Sequence, residues 1–203
     1  AGADEAPRTV PPPTVDMPTS TATQTAVFAG GCFWGLEGVF EHVRGVRSVR
    51  SGYSGGSLAN PSYEDVTTET TGHAEAVEIT YDPRVVTYGQ LLRVYFSVAT
   101  DPTQLNRQGP DSGTSYRGNI FAVNADQARV ARAYIAQLTA AHTYSAPIVT
   151  RVDMLSRFWP AEGYHQNYLS LHPDQPYIAF NDLPKIRDLQ RLLPAMYNPE
   201  RVN

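Results

Sequence analysis

Cys32 is the only cysteine among 203 residues, and it stands in the run Gly30-Gly31-Cys32-Phe33-Trp34-Gly35. A lone cysteine closes no internal disulfide and builds no cysteine-based zinc cluster. It leaves an inert buried thiol, an intermolecular bridge or a reactive nucleophile. Gln24 to Ala29, just before it, is apolar and β-prone, while Leu36, Val39, Phe40 and Val43 follow at helical spacing. Cys32 is therefore expected in the first turn of a helix, where free backbone N–H groups and the helix dipole favour the thiolate. The flanking glycines let a second molecule approach the sulfur, and Phe33 and Trp34 add an apolar wall.

A second candidate comes from His73 to Tyr81, which alternates. Glu75, Val77, Ile79 and Tyr81 share one face; Ala74, Ala76, Glu78 and Thr80 share the other. Glu75 is thus expected to point inward, where burial raises a carboxyl pKa and keeps a proton available near neutrality. A reactive thiol and a carboxyl that holds its proton are groups a redox enzyme could use. A cysteine–histidine hydrolase is an alternative, with His73 or His165 as base. A binding module for methionine-rich peptides and a peroxide sensor are two more.

These side chains need a scaffold. The spacing predicts strands at Gln24–Ala29, Val46–Tyr53, Tyr63–Thr67, His73–Tyr81, Tyr116–Val123 and Ile148–Val152. Helices are expected from Cys32 to Gly45, after Thr87 with its capping partner Gln90, from Asn124 to His142, over Ala161–Leu171 and over Asp182–Leu193. The 101–113 stretch is polar, aperiodic and read as loop. The order suggests two split βαβ units: an α+β, two-layer ferredoxin-like plait with a mixed sheet and a helical C-terminal extension. Residues 1–23, rich in Pro, Thr and Ala, read as an extended arm or polyproline-type wrapper ahead of a single domain at 24–203.

Bulk properties remove some functions. A net charge of -4 without a basic stripe argues against nucleic acid, and no apolar run reaches membrane-spanning length. An N-terminus at Ala1 is what a processed exported protein would have, so an exported or periplasmic location is expected ahead of a cytoplasmic one.

Gly31-Cys32-Phe33-Trp34-Gly35 resembles the signature of the A-type peptide methionine sulfoxide reductases. The resemblance continues through Gly52-Tyr53-Ser54-Gly55-Gly56, Asn60-Pro61-Ser62-Tyr63 and Gly72-His73-Ala74-Glu75. It runs on through Tyr81-Asp82-Pro83, 111–117 and 161–168, in order from about Ala26 to about Leu193. Several such motifs in series are specific where one alone is not.

The resemblance implies reduction of methionine-S-sulfoxide, free or in proteins, to methionine. In it Cys32 attacks the sulfoxide sulfur and ends as a sulfenic acid, Glu75 is the acid, and Tyr63 and Tyr116 donate hydrogen bonds to the oxygen. Phe33 and Trp34 would hold the S-methyl group, with Asp111, His165 and Tyr168 around the substrate. No cofactor or metal is implied, and a monomer is expected.

The chain departs from the pattern in one respect. Many members carry further cysteines that resolve the sulfenic acid as a disulfide, and the tail from Pro173 to Asn203 has none. Reduction by an outside thiol follows, from thioredoxin, from glutaredoxin with glutathione, or from another donor.

Overall fold

The computed structural model describes residues 4–203, so Ala1, Gly2 and Ala3 of the expected arm lie outside the described residues. Strand β1 (Gln24–Ala29) leads through Gly30-Gly31 into helix α1 (Phe33–Phe40), with Cys32 at its N-cap rather than inside its first turn. Gly31 has φ +91°, a left-handed conformation that favours glycine, and this sharp turn aims the cysteine backbone into the helix. Strand β2 (Val46–Ser54) follows, then helix α2 (Tyr63–Thr67) and strand β3 (Ala74–Tyr81).

Helix α2 corrects the strand expected at Tyr63–Thr67. Ser62 accepts from the Asp65 N–H while the Asp65 side chain accepts from the Ser62 N–H, a reciprocal capping box that outweighs the β-branched residues behind it. Helix α3 (Tyr88–Val94) carries the expected Thr87/Gln90 box and runs on as a π turn over Tyr95–Ala99. The polar 101–113 stretch is not bare loop: β4 (Arg107–Gln108) and β5 (Asp111–Ser112) pair there as a small hairpin.

A 3-10 turn, Thr114–Tyr116, delays strand β6 to Asn119–Ala122, so Tyr116 sits ahead of the strand expected to begin with it. Helix α4 (Ala125–Ala140) is capped by the Asn124 side chain, which accepts from the Gln127 N–H at 2.8 Å. Strand β7 (Arg151–Met154) begins later than the expected 148–152, in parallel register with β6 from Asn119↔Arg151 onward. Strand β8 (Phe158–Pro160) has no counterpart in the expectation. Three residues ending in proline make a poor strand signal, yet suit the sheet edge.

The helix expected over Ala161–Leu171 is broken. A 3-10 turn (Gly163–His165) and a short helix α5 (Tyr168–Leu171) flank Asn167, which adopts φ +58°. The last expected helix resolves into a π turn (Ile178–Asp182) and helix α6 (Leu183–Leu192).

The main sheet has the order β7-β6-β1-β3-β2-β8, all antiparallel except β6 beside β7. Its inner four strands, with the helices after β1 and β3, form the ferredoxin-like plait, and β7 and β8 extend it at the two edges. Phe28, Val77, Ile79 and Tyr81 face the larger core with α1 and α3, whereas Val27, Ala29, Ala74 and Ala76 join Phe121 on the other face. The alternation expected in β3 is therefore the alternation of its two faces.

The Pro-rich segment before β1 forms no helix or strand from residue 4 to 23, but it is tied down. Val10 is fully buried, and its carbonyl accepts from Arg93 Nε at 2.8 Å. The Arg8 N–H donates to the Ser97 carbonyl at 3.0 Å, and Asp16 accepts from the Thr87 hydroxyl and the Gly89 N–H. It lies as a strap across the π turn after α3 and across α4.

Candidate functional site

Cys32 and Glu75 come together because β1 and β3 are neighbours in the sheet, with Ala29 opposite Ala76. Glu75 Oε1 accepts from the Phe33 N–H at 3.0 Å, which pins the carboxyl to the first amide of α1, one residue beyond Cys32. That amide would otherwise be an unpaired helix N-terminal donor. Glu75 is 1% exposed, and burial lifts its pKa to about 8 against the pull of the Phe33 amide. Its carboxyl is mainly protonated at pH 7.

The thiolate expected at Cys32 does not hold. Burial pushes the thiol pKa well up, and the Glu75, Asp182 and Asp111 carboxyls push it the same way; only the Trp34 amide opposes them. The positive end of an eight-residue helix is outweighed by desolvation and three acids. In the resting protein Cys32 and Glu75 each hold a proton.

Tyr63 and Tyr116 approach from α2 and from the 3-10 turn before β6. The Tyr116 carbonyl accepts from the Gly31 N–H at 3.1 Å, tying that turn to the cysteine loop. Both side chains are half-buried. Burial first, and then the Glu75 carboxyl, raise both phenols, Tyr63 to about 12 and Tyr116 further, so both remain O–H donors across the working range.

Trp34 is half-buried and stacks flat on Tyr168, ring centroids 3.9 Å apart. Its Nε1–H donates to His165 Nδ1 at 3.0 Å. Phe33 is enclosed behind it, between Tyr53 and His165 at 5.6 and 5.1 Å. His165 is 1% exposed, and burial lowers its pKa, which keeps the ring neutral. With Nδ1 accepting, the imidazole proton lies on Nε2, and Nε2 has no partner among the described residues. Asp111, at the start of β5, accepts from the Tyr177 hydroxyl.

This geometry removes the base that a cysteine–histidine hydrolase requires. His165 has no free lone pair, and both His73 ring nitrogens are engaged, with the Gly56 N–H at 3.0 Å and the Leu58 carbonyl at 2.7 Å. His73 braces the 55–61 loop.

Four further residues belong to the site and escaped the sequence reading. Glu162 accepts from the Tyr63 N–H at 2.8 Å and the Tyr53 hydroxyl at 2.9 Å, so it seats Tyr63. Burial works against that carboxylate, but these bonds hold its pKa below the usual value. Tyr177 presents its ring edge to Trp34 at 6.1 Å. Asp182 is 1% exposed beside Gly35 of α1. Glu162 and Tyr53 lie within the motifs, where a buried position was the only available signal; Tyr177 comes from a stretch without periodicity, and Asp182 opens the expected Asp182–Leu193 helix, where nothing marks it for the site.

The sequence profile described as peptide methionine sulfoxide reductase matches residues 24–194. The chain is 57% identical over 188 residues to peptide methionine sulfoxide reductase MsrA 2 of Mesorhizobium japonicum, covering 93% of this chain and 96% of that one. Among solved structures it is similar to reduced Mxr1 of Saccharomyces cerevisiae, with a TM-score of 0.68, 28% identity, and coverage of 79% and 92% of the two chains. It is likewise similar to methionine sulfoxide reductase A of Corynebacterium diphtheriae, with a TM-score of 0.65, 34% identity and 83% coverage of each.

Proposed function

The chain belongs to the peptide methionine sulfoxide reductase family, and from that premise we propose how its residues divide the reaction. The substrate is methionine-S-sulfoxide, free or within a protein. Its sulfoxide oxygen points at Glu75, Tyr63 and Tyr116, and its methyl group lies against Trp34 with Phe33 behind. The observation that carries this reading is the Glu75 carboxyl, buried, neutral near pH 7 and fixed to the amide next to Cys32.

As the Cys32 sulfur attacks the sulfoxide sulfur, Glu75 gives its proton to the oxygen and is reprotonated by the Cys32 thiol. The oxygen ends on Cys32 as a sulfenic acid, and methionine leaves. Cys32 loses two electrons and the substrate sulfur gains two. Fixed O–H donors on two tyrosines stabilise the charge that grows on oxygen more than they stabilise the bound ground state. Asp111, His165 and Tyr168 shape the site: His165 and Tyr168 hold Trp34 in place, and Asp111 anchors Tyr177.

The starting state is restored by a thiol from outside the chain, since Cys32 is the only cysteine. Thioredoxin, or glutaredoxin with glutathione, is the donor class implied by the family resemblance. Monomeric action and an exported location complete the proposal.

Separated sulfoxide epimers test it. Methionine should form from the S epimer alone, and not at all with Cys32→Ser. Equal consumption of both epimers, or turnover by the serine variant, overturns it.

A further inference from the structure

Tyr63 and Tyr116 reach the site from distant parts of the chain, and a carboxyl outside the reacting groups seats each of them. Glu162 does so for Tyr63. For Tyr116 the residue is Glu69, which stands just beyond α2, the helix that Tyr63 opens. Glu69 Oε1 accepts from the Ser115 hydroxyl at 2.6 Å, and its Oε2 accepts from the Ser115 N–H at 2.9 Å. Ser115 is 1% exposed and is the middle residue of the 3-10 turn that ends with Tyr116. The Tyr116 N–H donates to the Gly113 carbonyl at 3.0 Å and its carbonyl accepts from Gly31. Where this turn is placed, the tyrosine is placed.

Glu69 holds these bonds from an unfavourable backbone conformation. Its φ is +64°, the left-handed region that glycine or asparagine usually supplies after the last turn of a helix. The other described residues with positive φ are glycines, asparagines and His142. A side chain disfavours this conformation, and such strain persists where the surroundings enforce it, often beside a functional site. Here the enforcing contacts are the two bonds to Ser115. Gly113 leaves room for them, since a Cβ there would lie 2.6 Å from Glu69 Cδ. Arg117, just after the turn, donates to the Thr114 carbonyl at 2.9 Å and to the Gly72 carbonyl at 3.0 Å. The turn is thus clasped to both ends of the segment that joins the helix of Tyr63 to the strand of Glu75.

We propose that Glu69 is a positioning residue, which locks the Tyr116 turn onto that segment and so fixes the Tyr116 hydroxyl relative to Tyr63 and Glu75 around the sulfoxide oxygen. The proposal rests on the reading of Tyr116 as a donor to that oxygen. A donor stabilises the charge growing on oxygen only when it is in place, and a displacement of about 1 Å can cost on the order of a hundredfold in rate. The Glu69 charge has a second, smaller effect. Burial lifts the Glu75 pKa most, and the charges of Asp111, Glu69 and Asp182 push the same way against the Phe33 amide. At pH 6 this effect drops out, because a carboxyl with a pKa of about 8 holds its proton there with or without the neighbouring charge.

A double-mutant cycle tests the proposal, read as single-turnover methionine formation at pH 6 with saturating methionine-S-sulfoxide and no reductant. Glu69→Gly and Glu69→Asn both suit the left-handed conformation, and neither side chain reaches Ser115. Relief of strain offsets the lost bonds, so both variants should unfold thermally close to the parent. Each should nonetheless slow the turnover about tenfold or more. The sulfoxide concentration for half-saturation should change little, because the tyrosine bond strengthens only in the transition state. Glu69→Gln removes the charge but keeps an acceptor for Ser115, and should recover most of the rate. Tyr116→Phe should cost on the order of a hundredfold. Adding Glu69→Gly to Tyr116→Phe should then have little further effect, since the hydroxyl that Glu69 places is already gone. Equal slowing by Glu69→Gly in the parent and in Tyr116→Phe overturns the proposal, as does a Glu69→Gln variant no faster than Glu69→Gly, or a Glu69→Gly variant as fast as the parent. If Tyr116→Phe itself turns over at the parent rate, it is the underlying reading of Tyr116 that fails.

Discussion

Replacing Glu75 by glutamine tests the acid role with little disturbance to the fold. The amide oxygen can still accept from the Phe33 N–H, the bond made at 3.0 Å by Oε1, and glutamine matches the neutral carboxyl in shape and charge. Only the transferable proton disappears. With the carboxyl pKa at about 8, about nine molecules in ten carry that proton at pH 7 and about one in ten at pH 9. General acid catalysis contributes on the order of 10²–10⁴ in rate, so Glu75→Gln should lose at least a hundredfold, about 2.7 kcal/mol of transition-state stabilisation. Tyr63 and Tyr116 remain as donors in the variant and keep the loss from being total. The assay is single-turnover methionine formation by chemical quench, with saturating sulfoxide and no reductant. The parent rate should also lose its acid-dependent part above pH 8, and the variant should lack that limb. Ionisation of Cys32 works in the opposite sense, so the limb is read as the ratio of parent to variant across pH. A variant within threefold of the parent, with the same pH profile, would refute the reasoning.

Two buried acids make stability fall as pH rises. Glu75 and Glu37, both lifted to about 8 chiefly by burial, hold protons in the folded state that the unfolded chain releases near 4.5. Stability is therefore fully present below about 4.5 and lost toward 8, by up to several kcal/mol per group at about 1.4 kcal/mol per pKa unit. Thermal unfolding from pH 5 to 8 should show this, and Glu75→Gln should flatten it; an unchanged slope speaks against the burial argument. Glu162→Ala removes the acceptor of the Tyr63 amide and the Tyr53 hydroxyl. It should cost about 1.5–3 kcal/mol in denaturant unfolding and slow the single turnover more than it raises KM. Val10→Ala, within the strap, should cost about 2 kcal/mol from two lost methyl groups and the cavity they leave; no change would mean that the strap is only laid on the surface.

What could be read from the residues was whatever rests on local pattern. Alternation in β3 turned Glu75 inward without reference to any other strand, and a strand handing over to a helix put Cys32 at a turn. The short run Tyr63–Thr67 reads as strand residue by residue, and only the Ser62–Asp65 capping box, read as a pair, shows it to be helix. The thiol's acidity was misjudged for a different reason. A helix dipole is visible in sequence, whereas the three carboxyls that oppose it arrive from β3, the β4–β5 hairpin and the turn before α6. Asp182 and Tyr177 lie more than 140 residues from Cys32 in a segment of irregular turns, and only tertiary packing brings them beside it. The prolines and threonines of the strap carry no period that says where it lies; Val10 and backbone hydrogen bonds fix its course.

The most direct measurement mixes the protein with one equivalent of methionine-S-sulfoxide, without reductant, and determines methionine released and intact protein mass together. The account predicts one methionine per chain and the gain of one oxygen atom, located on Cys32 by sulfenic-acid trapping and absent in Cys32→Ser. Methionine release without an oxidised Cys32, or an oxygen gained equally by the serine variant, would contradict it.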